Sequence, residues 1–440
     1  VEPVTATFIT EVKGRRVFDS RGRPTVEAEV TLAGGASGRA IAPAGASRGS
    51  REAVDLRDGG KRFGGMDVAH ALANVAGPIR DALIGVDALD QVAADERLAA
   101  LDGTPNKARL GGNATVAVSL AIAHAAAAAQ RLPLWKHLAG TSEVTLPLPE
   151  VQLFGGGAHA ARALDLQDVM VMPVGAWTFA DALAIVADVY RCAGEILAER
   201  GKLAGVADEG GYWPTFARNE EALELAMLAI ESAGAKPGAD VALSLDVAAS
   251  ELGRDGRYRF ALEARDLDRD ALAELLLDWL ARYPIASIED PFGEDDRVAW
   301  IAFARAAGAR VQIVGDDYLT TSADRVEAAA RDAACNAVLV KPNQAGTLTE
   351  ARAALEAARR AGFATIVSAR SGETEDVSIV HLAVGWNAGQ LKVGSFARSE
   401  RMAKWNEVLR IEEALGASAR FAGATALPVR WPPVNARPAP

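Results

Sequence analysis

Six short apolar runs in the second half of the chain each lead into a charged residue. They are VALSLDV at Asp246, IASIED at Glu289, VQIVGD at Asp316, NAVLVK at Lys341, ATIVSAR at Arg370 and GQLKV at Lys392. The three acids are hard oxygen ligands of the kind Mg²⁺ prefers, and no Cys or His cluster competes for a softer metal. A lysine placed beside other cations or a metal loses its proton more easily, which suits Lys341 to act as a general base. Glu209, in the Gly-flanked run VADEGG, can deliver a proton as general acid. Arg370 and Ser371 suit a phosphoryl group, whose oxygens match the guanidinium fork, and Lys392 can hold a carboxylate as a point charge. A metal, a lysine base and a carboxylate clamp are together the equipment for removing a proton alpha to a carboxylate. Solvated strand-end charges would account for one or two of these residues, and a plain ion pair to Lys341 for one acid, but not for all six.

The elements that must position them follow from the same runs. The last five endpoints recur roughly every 25 residues, the length that a buried parallel strand and its return helix require. In a βα-barrel the carboxyl ends of such strands converge on one mouth, where active sites sit. Helical patterns at 269–282, 294–308, 323–333, 347–361 and 374–385 separate the runs. Upstream, 150–154 and 169–173 read as strands, 178–200 and 219–233 as helices, and LAGVADEGGYWP as a loop. Before residue 143 the chain changes character. Alternating residues predict two strands within 1–32, a Gly/Ala/Ser-rich loop spans 33–51, and helices are expected at 67–84, 87–101 and 112–130, the last with Asn113 as N-cap. Leu146-Pro147-Leu148-Pro149 marks a seam. The expected division is 1–142, 143–426 and a proline-rich, frayed tail at 427–440.

With 440 residues, half of them hydrophobic, the chain is long enough for a barrel-sized domain plus a smaller one. A net charge of −11 argues against nucleic-acid or acidic-membrane partners. The two cysteines, Cys192 and Cys335, lie in apolar context, which implies a reduced, cytoplasmic setting without disulfides. The longest apolar stretch, 114–129, is Ala-dominated and shorter than a membrane span.

The motifs resemble those of the enolase family from about Arg16 to Gly416. VFDSRGRPTVEAEV, LDGTPNKARLGGNA, GGGAHA with ALDLQD, VADEGG, SLDVAASE, SIEDPF, KPNQAGT, SARSGETED and ARSERMAKWNEVLRIEEALG follow one another in family order. The resemblance implies an enolase-like α/β fold, with an N-terminal α+β capping domain followed by a modified TIM-type (β/α)8 barrel whose first strands are irregular. It implies two Mg²⁺ per active site, the tight one on Asp246, Glu289 and Asp316 and the second reached by the carbonyl of Ala44. It also implies Lys341 as base, Glu209 as acid, Asp168 and the loop residue His159 at the catalytic centre, and Gln167, Ala369, Arg370, Ser371 and Lys392 around the substrate. A lysine base with one or two Mg²⁺ is the means by which the enolase superfamily stabilises an ene-diolate. A homodimer or higher homo-oligomer is the family expectation.

The departures from the family pattern cluster. A His-Arg-Ser triplet appears as Ala369-Arg370-Ser371, and Ser-Gly-Ala-Ser as Ala44-Gly45-Ala46-Ser47. A site glutamate is shortened to Asp168, and the second loop reads Gly155-Gly156-Gly157-Ala158-His159-Ala160-Ala161-Arg162. Three readings follow. The first is a divergent enolase acting on 2-phosphoglycerate or phosphoenolpyruvate. The second is a paralogue with altered specificity at the phosphoryl group, similar to the carboxyphosphonoenolpyruvate synthases of phosphonate and phosphinate pathways. The third is an inactive enolase-like binding protein. Drift would scatter such changes, so altered specificity is favoured. The substrate is then a small phosphorylated or phosphonylated carboxylate.

Overall fold

The alternating residues at the start of the chain form an antiparallel meander of β1 (Ile9–Phe18), β2 (Pro24–Leu32) and β3 (Ser37–Ile41). Asp19 shapes the first turn, its Oδ1 accepting from the backbone N–H groups of Arg21 and Arg23 at 2.9 Å. This is a computed structural model, and it describes residues 6–46, 49–161 and 163–431. The Ala-rich helix Gly112–Ala129 lies across the sheet. Contact is so close that a Cβ on Gly38 would sit 2.1 Å from the backbone nitrogen of Ala125, which explains both the glycine and the run of alanines. This helix is long and apolar enough to cross a membrane, yet 83% of that stretch is buried inside the protein.

Two local expectations change. Gly111, not Asn113, is the N-cap of that helix. Asn113 instead pins an incoming segment, donating to Asp55 Oδ1 at 3.0 Å and to the Leu56 carbonyl at 3.1 Å. The expected helix at 67–84 splits into Ala69–Asn74 and Arg80–Leu83 around a π-type turn that contains Pro78, since proline has no N–H to continue the ladder.

The second domain is a closed barrel. Its strands and their excursions are β4 (Leu148–Gly155), β5 (Asp168–Met172), β6 (Leu203–Val206), β7 (Tyr212–Pro214), β8 (Ala242–Asp246), β9 (Gly253–Arg254), β10 (Arg257–Phe260), β11 (Arg265–Asp268), β12 (Ile285–Glu289), β13 (Gln312–Gly315), β14 (Ala337–Val340), β15 (Ala364–Ser368) and β16 (Gly389–Gly394). The ring runs β4-β5-β8-β12-β13-β14-β15-β16 and closes by β16 pairing with β4. Only β5 runs against its neighbours, so the barrel opens ββ and then settles into parallel βα units. The hairpin β6–β7 hangs on β4 through Phe154 opposite Tyr212, where a plain loop was expected. The meander β9–β11 was not anticipated, because its strands are short and carry four arginines among ten residues.

Side-chain caps start several return helices. Thr178, Asp268, Asp296 and Thr347 each accept from the backbone N–H three residues on. The helix expected from 374 begins only at Ser378, because Asp376 is used elsewhere: it accepts from Ser378 N at 2.7 Å and from Ile41 N at 2.8 Å, joining barrel to capping sheet. Leu427 is buried and Trp431 donates to the Gly238 carbonyl at 2.7 Å, so the start of the expected frayed tail is packed on the barrel. Residues 432–440 lie outside the described residues.

Candidate active site

The barrel's parallel register brings the expected residues to one mouth. Asp246 and Glu289 are the last residues of their strands and pair directly in register. Asp316 and Lys341 each lie one residue past a strand, Arg370 lies two past, and Lys392 points inward from within β16. A small, open cavity is lined by Gln167, Asp168, Glu209, Asp246, Lys341, Ala369, Arg370, Ser371 and Lys392, among others. His159 closes a short 3-10 turn, and its side chain lies outside the described residues.

The acidic end is dense with charge. Lys392 Nζ lies 2.8 Å from Glu289 Oε2, 3.2 Å from Asp246 Oδ2 and 3.4 Å from Asp168 Oδ2. Lys341 Nζ pairs with Asp316 Oδ2. Gln167 donates to Asp246 Oδ2 at 2.9 Å, and Ala248 N–H to Asp246 Oδ1 at 3.0 Å. Burial, reinforced by Asp246, pushes the Glu289 carboxyl well above the usual range. Asp316 falls below it, because Lys341 and Arg370 outweigh its own burial. Lys341 holds its proton more firmly than usual. Its burial acts against the charge, but Asp316 and Glu289 prevail. A cation sharing the Asp316 carboxylate would weaken that hold.

The donor set fits a hard divalent cation. Asp246, Glu289 and Asp316 stand at the ends of three adjacent strands with lysines between them, and the buried Glu289 Oε1 has no hydrogen-bond partner among the described residues, as expected of an atom available to a metal. The acids that lie close enough together among the described residues to share one ion are Asp290, Asp316 and Asp317, a set that overlaps the expected one only at Asp316. Within it Asp290 is committed to the backbone, accepting from Asp316 N at 2.9 Å and Asp317 N at 2.8 Å. It buttresses the Asp316 turn. Below the acids, Glu150 on β4 lies opposite Lys392 in register. It accepts from Ser244 Oγ at 3.2 Å, and burial pushes its carboxyl up to about 7.

The other end is built from loops. Arg370 spreads its guanidinium over Glu52, at 2.9 and 3.2 Å, and reaches Asn343 Oδ1 at 3.1 Å. Glu52 comes from the capping domain and also accepts from Gln344 Nε2 at 3.2 Å. Gln344 donates to Asp316 Oδ1 at 2.8 Å, and Thr321, which holds the Lys341 N–H at 2.9 Å, donates to Gln344 Oε1 at 2.6 Å. One amide thus links the cap, a metal-ligand candidate and the base candidate. Behind the loop, the fully buried Arg401 donates to the carbonyls of Arg370 at 2.7 Å, Ser371 at 2.6 Å and Val393 at 2.8 Å. Lys404 holds the Thr374 carbonyl at 2.9 Å and pairs with Glu373 at 3.0 Å. Sequence reading missed Glu52, Gln344, Thr321, Arg401 and Lys404. In sequence, Arg401 and Lys404 pass for charges on an exposed helix face, and only the apolar Trp405 beside them hints at burial.

The Ala44 carbonyl accepts from Gly372 N at 2.9 Å and from Arg21 Nη2 at 2.8 Å, contacts that a second cation would have to share or displace. On the remaining side, Glu209 sits between β6 and β7 with its carbonyl accepting from Ser395 N at 2.8 Å. Two glycines permit this approach. Gly394 has φ +113°, and a Cβ there would lie 2.8 Å from the Glu209 carbonyl; Gly210 has φ +96°, and its Cβ would lie 2.5 Å from the Ala397 carbonyl.

Comparison with known proteins agrees with this geometry. A family model described as "Enolase, N-terminal domain" matches residues 9–138, and one described as "Enolase, C-terminal TIM barrel domain" matches residues 143–429. The chain is 48% identical over 416 residues to "Enolase 1" of Desulfitobacterium hafniense (strain Y51), covering 94% of this chain and 95% of that protein. The chain belongs to the enolase family. It is therefore an enzyme, a lyase of the enolase type, from a family that generally uses Mg²⁺ and small phosphorylated carboxylates.

Of the positions read as departures from the family pattern, Ala369, Asp168 and Ala44 are buried, whereas Ala158 and Ala161 of the second loop are exposed. Ala369, 7% exposed, is in the cavity wall, its N–H donating to the Lys392 carbonyl at 2.8 Å. Asp168 is 1% exposed at the start of β5 and Ala44 is buried against Gly372.

Proposed function

We propose that this enolase-family protein removes the alpha proton of a small carboxylate bearing a phosphorus substituent, with recognition altered at that substituent. The observation that carries the reading is the lining of one cavity by Lys341 and Glu209 together with Lys392, Arg370, Ser371 and Ala369. Lys341 accepts the alpha proton and Glu209 gives a proton to the departing β-hydroxyl, which leaves as water while the carbon–carbon double bond forms. Lys392 holds the carboxylate end and Arg370 with Ser371 the phosphorus end. Asp246, Glu289 and Asp316 would hold Mg²⁺, which supplies positive charge to the carboxylate as its negative charge grows. Gln167 orients Asp246 for this. A second Mg²⁺ near Ala44 has to share or displace that carbonyl's contacts with Arg21 and Gly372, so its binding is weaker and depends on substrate.

The Ala369 side chain offers neither a hydrogen bond nor a charge to a substituent in the cavity. Simple phosphate is underheld there, and a larger or differently charged phosphorus group gains room. This supports the specialised reading, of which the carboxyphosphonoenolpyruvate synthase class is the example the resemblance suggests. An inactive binding protein is disfavoured, since the base, the acid and the acidic ligand set are all in place. Side-by-side kcat/KM values for 2-phosphoglycerate and phosphonate analogues test the proposal. Turnover of 2-phosphoglycerate equal to that of an ordinary enolase would return the chain to a general enolase role.

A further inference from the structure

Gln152 is buried on β4, behind the cavity, and no part of the reaction described above uses it. Its amide orientation is set by chemistry: the Gly211 N–H can only donate, so Oε1 accepts from it, at 2.8 Å, and Nε2 donates to Asp168 Oδ1. One amide therefore joins the two segments that carry Asp168 and Glu209, both of which line the cavity. Asp168 Oδ2 is 3.4 Å from the Lys392 ammonium. Gly211 is two residues from Glu209 in a tight turn, closed by Ala207 N–H to the Gly211 carbonyl at 2.8 Å and Gly210 N–H to the Ala207 carbonyl at 3.0 Å. The approach needs a glycine, because a Cβ at 211 would lie 2.5 Å from Gln152 Oε1.

We propose that Gln152 is a positioning residue that ties the Asp168 carboxylate to the Glu209 turn, and so sets the separation of the two groups within the cavity. Its length compensates for the short Asp168 side chain. The inference rests on the proposed roles of Asp168 and Glu209 and adds the member that holds them in register. Catalysis is sensitive to such spacing, a shift of about 1 Å costing on the order of 10²-fold.

The test uses the full-length protein with saturating Mg²⁺ and 2-phosphoglycerate, reading alpha-proton exchange in D₂O and product formation. Gln152→Leu removes both contacts and should lower kcat about 10- to 100-fold while KM changes less than about 3-fold. Gln152→Glu keeps the acceptor for Gly211 but sets a second carboxyl beside Asp168, so the acid limb of the kcat–pH profile should move up by about one unit. Gln152→Asn and Asp168→Glu should each impair the enzyme, and the pair, which moves one methylene across the contact, should regain what either loses. A residue of purely structural importance would lower stability without moving the pH limb and without this rescue; that outcome overturns the proposal, and the Glu variant and the pair carry the test if the Leu variant fails to fold. If the unmodified protein exchanges no alpha proton, the functional reading fails by itself. The inference is then read from hydrogen exchange of peptides spanning 207–211. Asp168→Asn should change their protection in the Gln152 protein and leave it unchanged in the Gln152→Leu background, and equal changes in both backgrounds overturn it.

Discussion

The two ends of the cavity are held by different means. At the acidic end, Asp246, Glu289, Asp316 and Lys341 stand on or one residue past strand ends, and their positions follow from the barrel's register. They are kept close by mutual charge, with Lys392 and Lys341 placed between carboxylates. At the end proposed for the phosphorus group, Arg370 and Ser371 lie on a loop held by residues from far away: Glu52 from the capping domain and Arg401 from the last long helix. On the proposed roles, the base and the acidic ligands stand on the barrel itself, whereas Glu209 and the residues around the substituent are held by segments outside its ring. Ala369 and Ala44 are found at the second end, while the shortened Asp168 lies at the first, beside Lys392.

If this division holds, Lys341→Ala should reduce alpha-proton exchange by at least about 10³-fold, the usual order for a lost acid–base group, with binding at the phosphorus end intact; NMR of the exchange in D₂O measures it. Retention of exchange at the unmodified rate would dismiss Lys341 as base. Arg401→Met attacks the other end from behind. It strands three carbonyls and should destabilise the fold by at least about 3 kcal/mol, read by urea unfolding, and the folded fraction should lose affinity for 2-phosphoglycerate more than it loses exchange per bound substrate.

Glu150 gives the acidic end a pH signature of its own. Its folded-state value, about 7 against an ordinary 4.5, means that the folded protein keeps this proton more readily than the unfolded chain does. The resulting stability is complete below the ordinary value and is lost as pH rises through that window. Glu150→Gln should abolish this slope, so the difference in unfolding free energy between the two metal-free proteins changes by up to about 3 kcal/mol across the window. Parallel stability–pH curves would contradict the assignment.

Smaller effects are expected where contacts are shared. Glu52→Gln keeps the shape but removes the charge facing Arg370, and should lower kcat/KM about 10-fold, chiefly through KM. Ala369→His with Ala44→Ser should raise 2-phosphoglycerate turnover relative to phosphonate analogues, on the order of 10-fold for one restored charge-assisted hydrogen bond. An unchanged ratio would show that the substituent is read elsewhere.

Much of this was legible in the residues alone. Apolar runs of constant spacing that end in charge specify strands, their direction and the mouth at which Asp246, Glu289, Asp316, Lys341 and Lys392 meet, because strand periodicity is a local property. The Asp and Thr caps of the return helices are equally local. What the sequence did not reveal is where partners come from. Nothing in the run SREAVDL says that Glu52 will clamp Arg370, more than three hundred residues away, or that Arg401 and Lys404 face inward rather than to water. The same holds for the Ala44 carbonyl, which its neighbours Arg21 and Gly372 occupy, and for Lys341, whose proton is held by Asp316. Sequence determines which groups exist and which way their strands point. Burial and charge neighbours, which decide protonation and hydrogen bonding, exist only once distant segments share one low-dielectric interior.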